Sequence, residues 1–223
     1  MELLKRISLI IFGAIAGVVI MFIGFRVSGV MNLFTTTTTS NLPTIKQGTF
    51  ILISRMNQPQ KGDFVAYELP EATGAQQLYV HRLVAEANDE VLIKDGILYV
   101  NGQPFDKGRE TNNMYNVAEA DFKKLNIPSE QALHIPGSYI IMCTETEMKS
   151  YGIPYTKRVR PVSDVDEEIQ KMWHQPWNAD QFGPVKVPRG CFFVMGDNRE
   201  NALDSRYCGG IPEANYKGKD VFH

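Results

Sequence analysis

From Ile7 to Phe25 the chain runs for 19 residues without a charged side chain, between Lys5-Arg6 and Arg26. A helix through that run would be about 28 Å long at ~1.5 Å per residue, close to the ~30 Å hydrocarbon core of a bilayer. A single transmembrane helix is therefore expected over residues 7–25, within a segment 1–34 made of a short tip and a membrane anchor. Two basic residues precede the run and one follows, so charge bias puts the N-terminus in the cytoplasm and the rest of the chain outside. A cleaved secretory signal has the same basic start, but its apolar region is ordinarily ~7–15 residues and ends at a small-residue site. Val27-Ser28-Gly29 is a poor site of that kind, which favours a retained anchor over a removed signal. No later stretch is long and apolar enough to span, leaving residues 35–223 as one extracytoplasmic domain in surroundings that permit a disulfide.

The composition of that domain narrows its chemistry. The chain has 223 residues, 43% of them hydrophobic and 22% charged, which is a globular balance rather than a disordered one. Its formal net charge of −2 comes with no cluster of Lys and Arg, so a nucleic-acid partner is not expected. Cys143, Cys191 and Cys208 lack the C-x-x-C spacing of zinc and thiol redox sites, and His134, His174 and His223 lie far apart. Neither a metal nor a cofactor is expected.

Short apolar stretches bounded by turn residues predict strands over Thr49–Ser54, Phe64–Tyr67, Leu78–Val84, Glu90–Ile93 and Ile97–Val100. The β-branched run Thr35–Thr39 favours extended backbone. Lys94-Asp95-Gly96 suits a hairpin, and Asn101-Gly102 marks a second turn. From Phe105 to Val185 the pattern loosens: a helix is expected over Val117–Leu125, another over Asp164–Trp173 behind a Ser163 cap, and a strand over Ile135–Cys143. Strand signals resume at Cys191–Met195, so residues 106–185 read as an insertion with short helices in a mainly β domain.

Three places carry residues suited to chemistry. Ser40 stands in Ser40-Asn41-Leu42-Pro43-Thr44, about fifteen residues beyond the anchor and hence near the membrane surface; alone, a serine beside a proline is an ordinary turn. His81 lies in the strand Leu78–Val84, where alternation puts it on one face with Tyr79 and Leu83; alone, it reads first as a packed or surface histidine. Gly196-Asp197-Asn198-Arg199-Glu200-Asn201-Ala202-Leu203-Asp204-Ser205-Arg206 follows a strand and is dense in turn formers and charged groups, either a site loop or a solvated one.

Taken together these segments resemble the type I signal peptidases, membrane-anchored serine endopeptidases that remove signal peptides on the outer face of the membrane. Val187 to Tyr207 is similar to the family's C-terminal signature box nearly end to end. Ser40-Asn41-Leu42-Pro43-Thr44 resembles the nucleophile box, usually Ser-Met-x-Pro-Thr, with Asn41 in place of the methionine. Gly62-Asp63-Phe64-Val65 resembles the next box, and Tyr79-Val80-His81-Arg82 occupies the place of the general-base box. Bacterial members usually carry lysine where His81 stands, and commonly serine where Ala202 stands. Eukaryotic and archaeal members of the wider family use histidine there, which needs no large pKa change to accept a proton near pH 7.

The resemblance implies Ser40 as nucleophile, His81 as general base, and the Ser40 N–H with the Thr38 hydroxyl as oxyanion donors, although Thr38 also reads as an ordinary strand threonine. Asp204 is the family-matched carboxylate to orient the imidazole, Arg206 pairs with Asp204 or supports the loop, and Asp197 and Asn198 are turn scaffold. Cys191 and Cys208 flank the loop and either bridge it or stay unpaired. The implied partners are the membrane, with the chain in the inner membrane and the catalytic domain outside, and exported precursors cut after small residues. A peptidase dedicated to one exported substrate, such as a conjugative pilin precursor, and an inactive scaffold of the same fold are the alternatives. With an unperturbed histidine as base, activity is expected to fall as the pH drops through roughly 6–7.

Overall fold

The computed structural model describes residues 2–27, 29–70, 74–128 and 131–222, without the side chains of residues 3, 4, 22, 25 and 26. Ser28 of the weak cleavage site and His223 lie outside the described residues. Helix α1 (Glu2–Val27) opens the chain and holds the whole uncharged run in helical form. Its apolar side chains face outward, with Leu9 73%, Phe12 71% and Ile20 69% exposed. Among the described residues, however, no helix is long and apolar enough to cross a membrane. Two apolar members of the expected span, Phe22 and Phe25, have side chains outside the described set.

Strand β1 (Met31–Thr35) follows and pairs antiparallel with β2 (Phe50–Ser54), Thr35 opposite Phe50. The threonine run is strand only at its first residue. Beyond it the Thr36 N–H reaches Thr49 O at 3.0 Å, and residues 37–48 fold back as the loop that carries Ser40. Strands β3 (Phe64–Pro70) and β4 (Gln76–Ala85) form a long hairpin in which Val65 lies opposite His81 and Tyr67 opposite Tyr79. Strands β5 (Glu90–Lys94) and β6 (Ile97–Val100) are joined by Asp95 and Gly96 at φ 52° and 68°. Two successive residues in the left-handed region make the two-residue turn whose twist matches a hairpin. Asn101 and Gly102 repeat the device before β7 (Gln103–Pro104).

The stretch that follows departs from the sequence reading in three places. Val117 belongs to strand β8 (Asn113–Ala118), whose alternate residues Asn113, Tyr115 and Val117 are buried, and helix α2 (Glu119–Phe122) starts only after it. Residues Ile135–Cys143 split at Pro136-Gly137, where Gly137 takes φ 79°, into β9 (Ala132–Ile135) and β10 (Ser138–Cys143). Helix α3 (Glu145–Ser150) and β11 (Thr156–Lys157) come next. Helix α4 (Glu167–Trp173) begins three residues later than expected, because the cap is Asp166, whose carboxylate accepts from the Glu168 and Ile169 N–H groups, and not Ser163. The chain closes with β12 (Phe182–Lys186), β13 (Cys191–Met195), α5 (Ser205–Cys208), β14 (Ile211–Pro212), a 3-10 turn at Glu213–Asn215 and β15 (Tyr216–Asp220).

Among the described residues these strands form three antiparallel sheets, ordered β1-β2-β15-β3-β4-β13-β14, β12-β5-β6-β7 and β11-β8-β10-β9. The third has its own small core of Tyr115, Val117, Phe122, Ile141, Cys143 and Met148. The later part of the expected insertion behaves differently: Ile169 of α4 and Phe182 and Val185 of β12 join Phe193 and Met195 in the main core. At the centre of the large sheet, β3 is buried on both faces. Phe64 and Ala66 pack with Ile45, Ile51 and Ile53, while Val65 and Tyr67 pack with Leu83, Val194 and Ile211. A hairpin buried on two sides is a rigid support, and β4 carries His81 and Arg82 on it.

Candidate active site

The Ser40 loop is held against the sheet by backbone contacts on each side of the hydroxyl. Ser40 O accepts from the Asn198 N–H at 3.0 Å, Thr39 O accepts from the Asn198 side-chain amide at 3.0 Å, and the Asn41 amide donates to Val80 O at 2.7 Å. Asn41, the residue that departs from the nucleophile box, thus ties the loop to the strand that carries His81. A single carboxylate joins the remaining motifs. Asp197 accepts from Arg82 Nε at 2.8 Å, from Arg82 Nη2 and from the Thr44 hydroxyl, and Arg82 Nη1 also donates to Gly62 O at 2.6 Å. Asp197 is therefore the buried tie between three distant segments, a larger part than turn scaffold.

Gly196 shows how closely the site is packed. A Cβ at this position would lie 2.4 Å from Ser40 O, 2.4 Å from the Ala202 Cβ and 3.4 Å from His81 Cδ2. Only a residue without a side chain lets the loop, the nucleophile segment and the imidazole edge meet. Ser40 and His81 are both buried, at 8% and 2% exposure, yet both line the same two cavities, of about 320 Å³ and 230 Å³. Thr37, Thr38 and Tyr79 line both as well. The Thr38 hydroxyl lies 3.0 Å from Ser40 Oγ.

The imidazole is strongly altered by its burial. Burial strips its charged form of water and lowers its pKa to about 4, despite the opposing pull of Asp204; Arg206 adds to the lowering. His81 is then neutral through the physiological range, and the acid limb expected near pH 6–7 moves down to about 4.

Asp204 is placed otherwise than the resemblance implied. Its carboxylate is fully buried and accepts from Arg206 Nε and Nη2 at 2.9 Å each, from the Arg206 N–H at 3.1 Å and from the Gly196 N–H at 3.1 Å. Burial pushes this carboxyl up, but the Arg206 guanidinium and these hydrogen bonds outweigh it and hold the group below its ordinary value. With its oxygens committed in this way, Asp204 acts on His81 only through space. The hydrogen-bond partner of His81 Nδ1 is the Tyr67 hydroxyl, at 2.7 Å. Sequence reasoning did not single out Tyr67; its signal is the β3–β4 register, which sets residues 67 and 81 on one face as diagonal neighbours.

All three cysteines are free, so Cys191 and Cys208 do not bridge the loop. Among the described residues no group of three or more His, Cys, Asp and Glu is placed to hold a metal ion.

A hydroxyl and a buried imidazole that line common cavities on an antiparallel scaffold are the parts a serine hydrolase needs. The comparisons with known proteins say which. The chain belongs to the signal peptidase family, peptidase S26, whose family model matches residues 6–223. It is 27% identical over 202 residues to signal peptidase I of Aquifex aeolicus, covering 83% of this chain and 72% of that protein. It is 29% identical over 219 residues to signal peptidase I of Buchnera aphidicola subsp. Schizaphis graminum, covering 81% of this chain and 63% of that protein. Against the crystal structure of a signal peptidase I from Enterococcus faecalis it shows 21% identity and a TM-score of 0.35, covering 73% of this chain and 97% of that one; the assignment rests on the family match instead.

Proposed function

We propose that this chain is a membrane-anchored serine endopeptidase that removes signal peptides from exported precursors, with Ser40 as nucleophile and His81 as general base. The observation that carries this reading is the shared cavity wall: the Ser40 hydroxyl and a neutral imidazole line the same space, with a second hydroxyl, Thr38, 3.0 Å from Ser40 Oγ. Ser40 Oγ attacks the scissile carbonyl carbon while its proton passes to His81 Nε2. The tetrahedral intermediate collapses to a Ser40 ester as the amine leaves with that proton, and water, deprotonated by the same nitrogen, then cleaves the ester. The oxyanion is stabilised by the Ser40 N–H and the Thr38 hydroxyl.

Two supports bear on location. Helix α1 is 26 residues long, or about 39 Å at ~1.5 Å per residue, and its outward apolar face suits lipid rather than water. We read it as the anchor in the inner membrane, with the charge bias around it placing the catalytic domain outside.

The test is cleavage of a precursor with a small-x-small site by the detergent-solubilised full chain. Wild type is expected to cut at that site and Ser40→Ala to leave the precursor intact; equal cleavage by both proteins, or none by wild type, overturns the reading. A second expectation concerns the oxyanion. Thr38→Val keeps the shape and removes the hydroxyl, so kcat should fall by roughly 10²-fold with KM little changed, measured as initial rates on a peptide spanning the cleavage site.

A further inference from the structure

Histidine acts as a base at one ring nitrogen only if the other carries the proton, so the partner of the second nitrogen decides whether the ring is ready. In this site that partner is a phenol. Tyr67 is 1% exposed on β3 and its hydroxyl oxygen lies 2.7 Å from His81 Nδ1. Its ring is fixed on both sides of that contact: it stacks on Tyr79 with centroids 5.8 Å apart, and Tyr79 in turn stacks on His81 at 6.3 Å. The groups facing the imidazole are Tyr67 from β3, Tyr79 from its own strand, Asp204 and Arg206 from the segment at α5, and Asp197 from the loop after β13. Of these the Asp204 and Asp197 carboxylates are held by Arg206 and Arg82, which leaves the phenol as the group in hydrogen-bond contact with the ring.

We infer that Tyr67 is the positioning residue for His81: its oxygen accepts a hydrogen bond from Nδ1–H, which keeps the ring in the tautomer whose Nε2 lone pair is free to take the Ser40 proton. This deepens the proposed function and rests on its assignment of His81. Cδ2, the ring neighbour of Nε2, lies 3.4 Å from where a Cβ on Gly196 would stand, a point 2.4 Å from Ser40 O, so the Nε2 edge of the ring is the one toward the Ser40 segment while Nδ1 meets Tyr67. Burial, with Asp204 adding to it, holds the Tyr67 hydroxyl well above its ordinary value, so the phenol stays neutral and can accept without ionising. A neutral acceptor stabilises an imidazolium less than a carboxylate would, in keeping with a base whose protonated form is disfavoured.

The experiment uses the full chain in detergent, labelled with nitrogen-15 at histidine, and compares wild type with Tyr67→Phe, which keeps the ring and its stacking. Nitrogen-15 spectra at pH 7 should show His81 of wild type protonated at Nδ1, with a larger share of the Nε2–H form in Tyr67→Phe. In cleavage assays Tyr67→Phe should lose roughly 10²-fold in kcat, the lower end of a general base's contribution, with KM within about twofold. His81 found with its proton on Nε2 in wild type, or a Tyr67→Phe protein with unchanged tautomer and unchanged kcat, overturns the inference. If wild type itself fails to cut, the proposed function falls, while the tautomer spectra still judge Tyr67 on their own.

Discussion

Replacing His81 with alanine is expected to lower precursor cleavage by about 10⁴-fold or more, because among the described residues it supplies the neutral base on the cavity wall that Ser40 shares. The loss should fall on kcat, since the imidazole moves a proton and does not hold the peptide in place. Some loss of stability should accompany it, because a buried ring that stacks on Tyr79 and partners the Tyr67 hydroxyl is removed, and thermal unfolding measures that part separately. The pH profile gives the second half of the result. The active form is neutral, and burial lowers the group to about 4, so wild-type kcat/KM should stay level from pH 7 to about 5 and fall only as the pH passes through about 4. The sign for stability runs the same way. Between about 4 and the ordinary 6.5 the unfolded chain binds a proton at this residue that the folded chain refuses, so acidification through that window weakens the fold. Thermal unfolding across the same pH range separates loss of rate from loss of structure.

Asp204→Ala is expected to act mainly on stability. The substitution leaves the Arg206 guanidinium, 1% exposed, without its charge partner, and a buried ion left alone costs about 3–5 kcal/mol. For a chain of this size that lowers the melting temperature by roughly 6–20 °C. Arg206 also donates to Arg199 O at 2.8 Å, and Arg199 in turn grips Asp106 through both of its Nη atoms at 2.6 and 2.7 Å, so the whole loop should loosen with it. Were Asp204 an orienting member of a triad, the variant would instead lose kcat at unchanged melting temperature. Calorimetry and initial rates on one preparation distinguish the two.

These two expectations differ from what the motifs alone suggested, and the difference shows which information a sequence carries. Strand β13, the β5–β6 hairpin and the turn at Asn101-Gly102 were legible because a short apolar run and residues suited to positive φ are local signals. Ser40, His81 and the Asp197 loop were legible as candidates because their spacing repeats a family pattern. Arg206 was legible as a partner of Asp204, but not as the one that keeps the carboxylate from the imidazole: the two compete for it, and only packing decides. Tyr67 was hidden for a similar reason, since its place beside His81 depends on the β3–β4 register and not on any motif. The pKa of His81 belongs to the same group, because desolvation is a property of the folded core. The helix expected over Val117–Leu125 began two residues early, because Asn116 suits a helix cap by residue type while the pairing of Val117 and Ala118 with Tyr139 and Ser138 is set by the sheet.

The most direct test of the central claim is the rate at which a serine-directed acylating probe labels the full chain, followed by mass spectrometry of the labelled peptide. The account predicts a single label on Ser40 in wild type, none in Ser40→Ala, and labelling slowed by at least ~10²-fold in His81→Ala. Labelling of Ser40 at the same rate with and without His81 would contradict it.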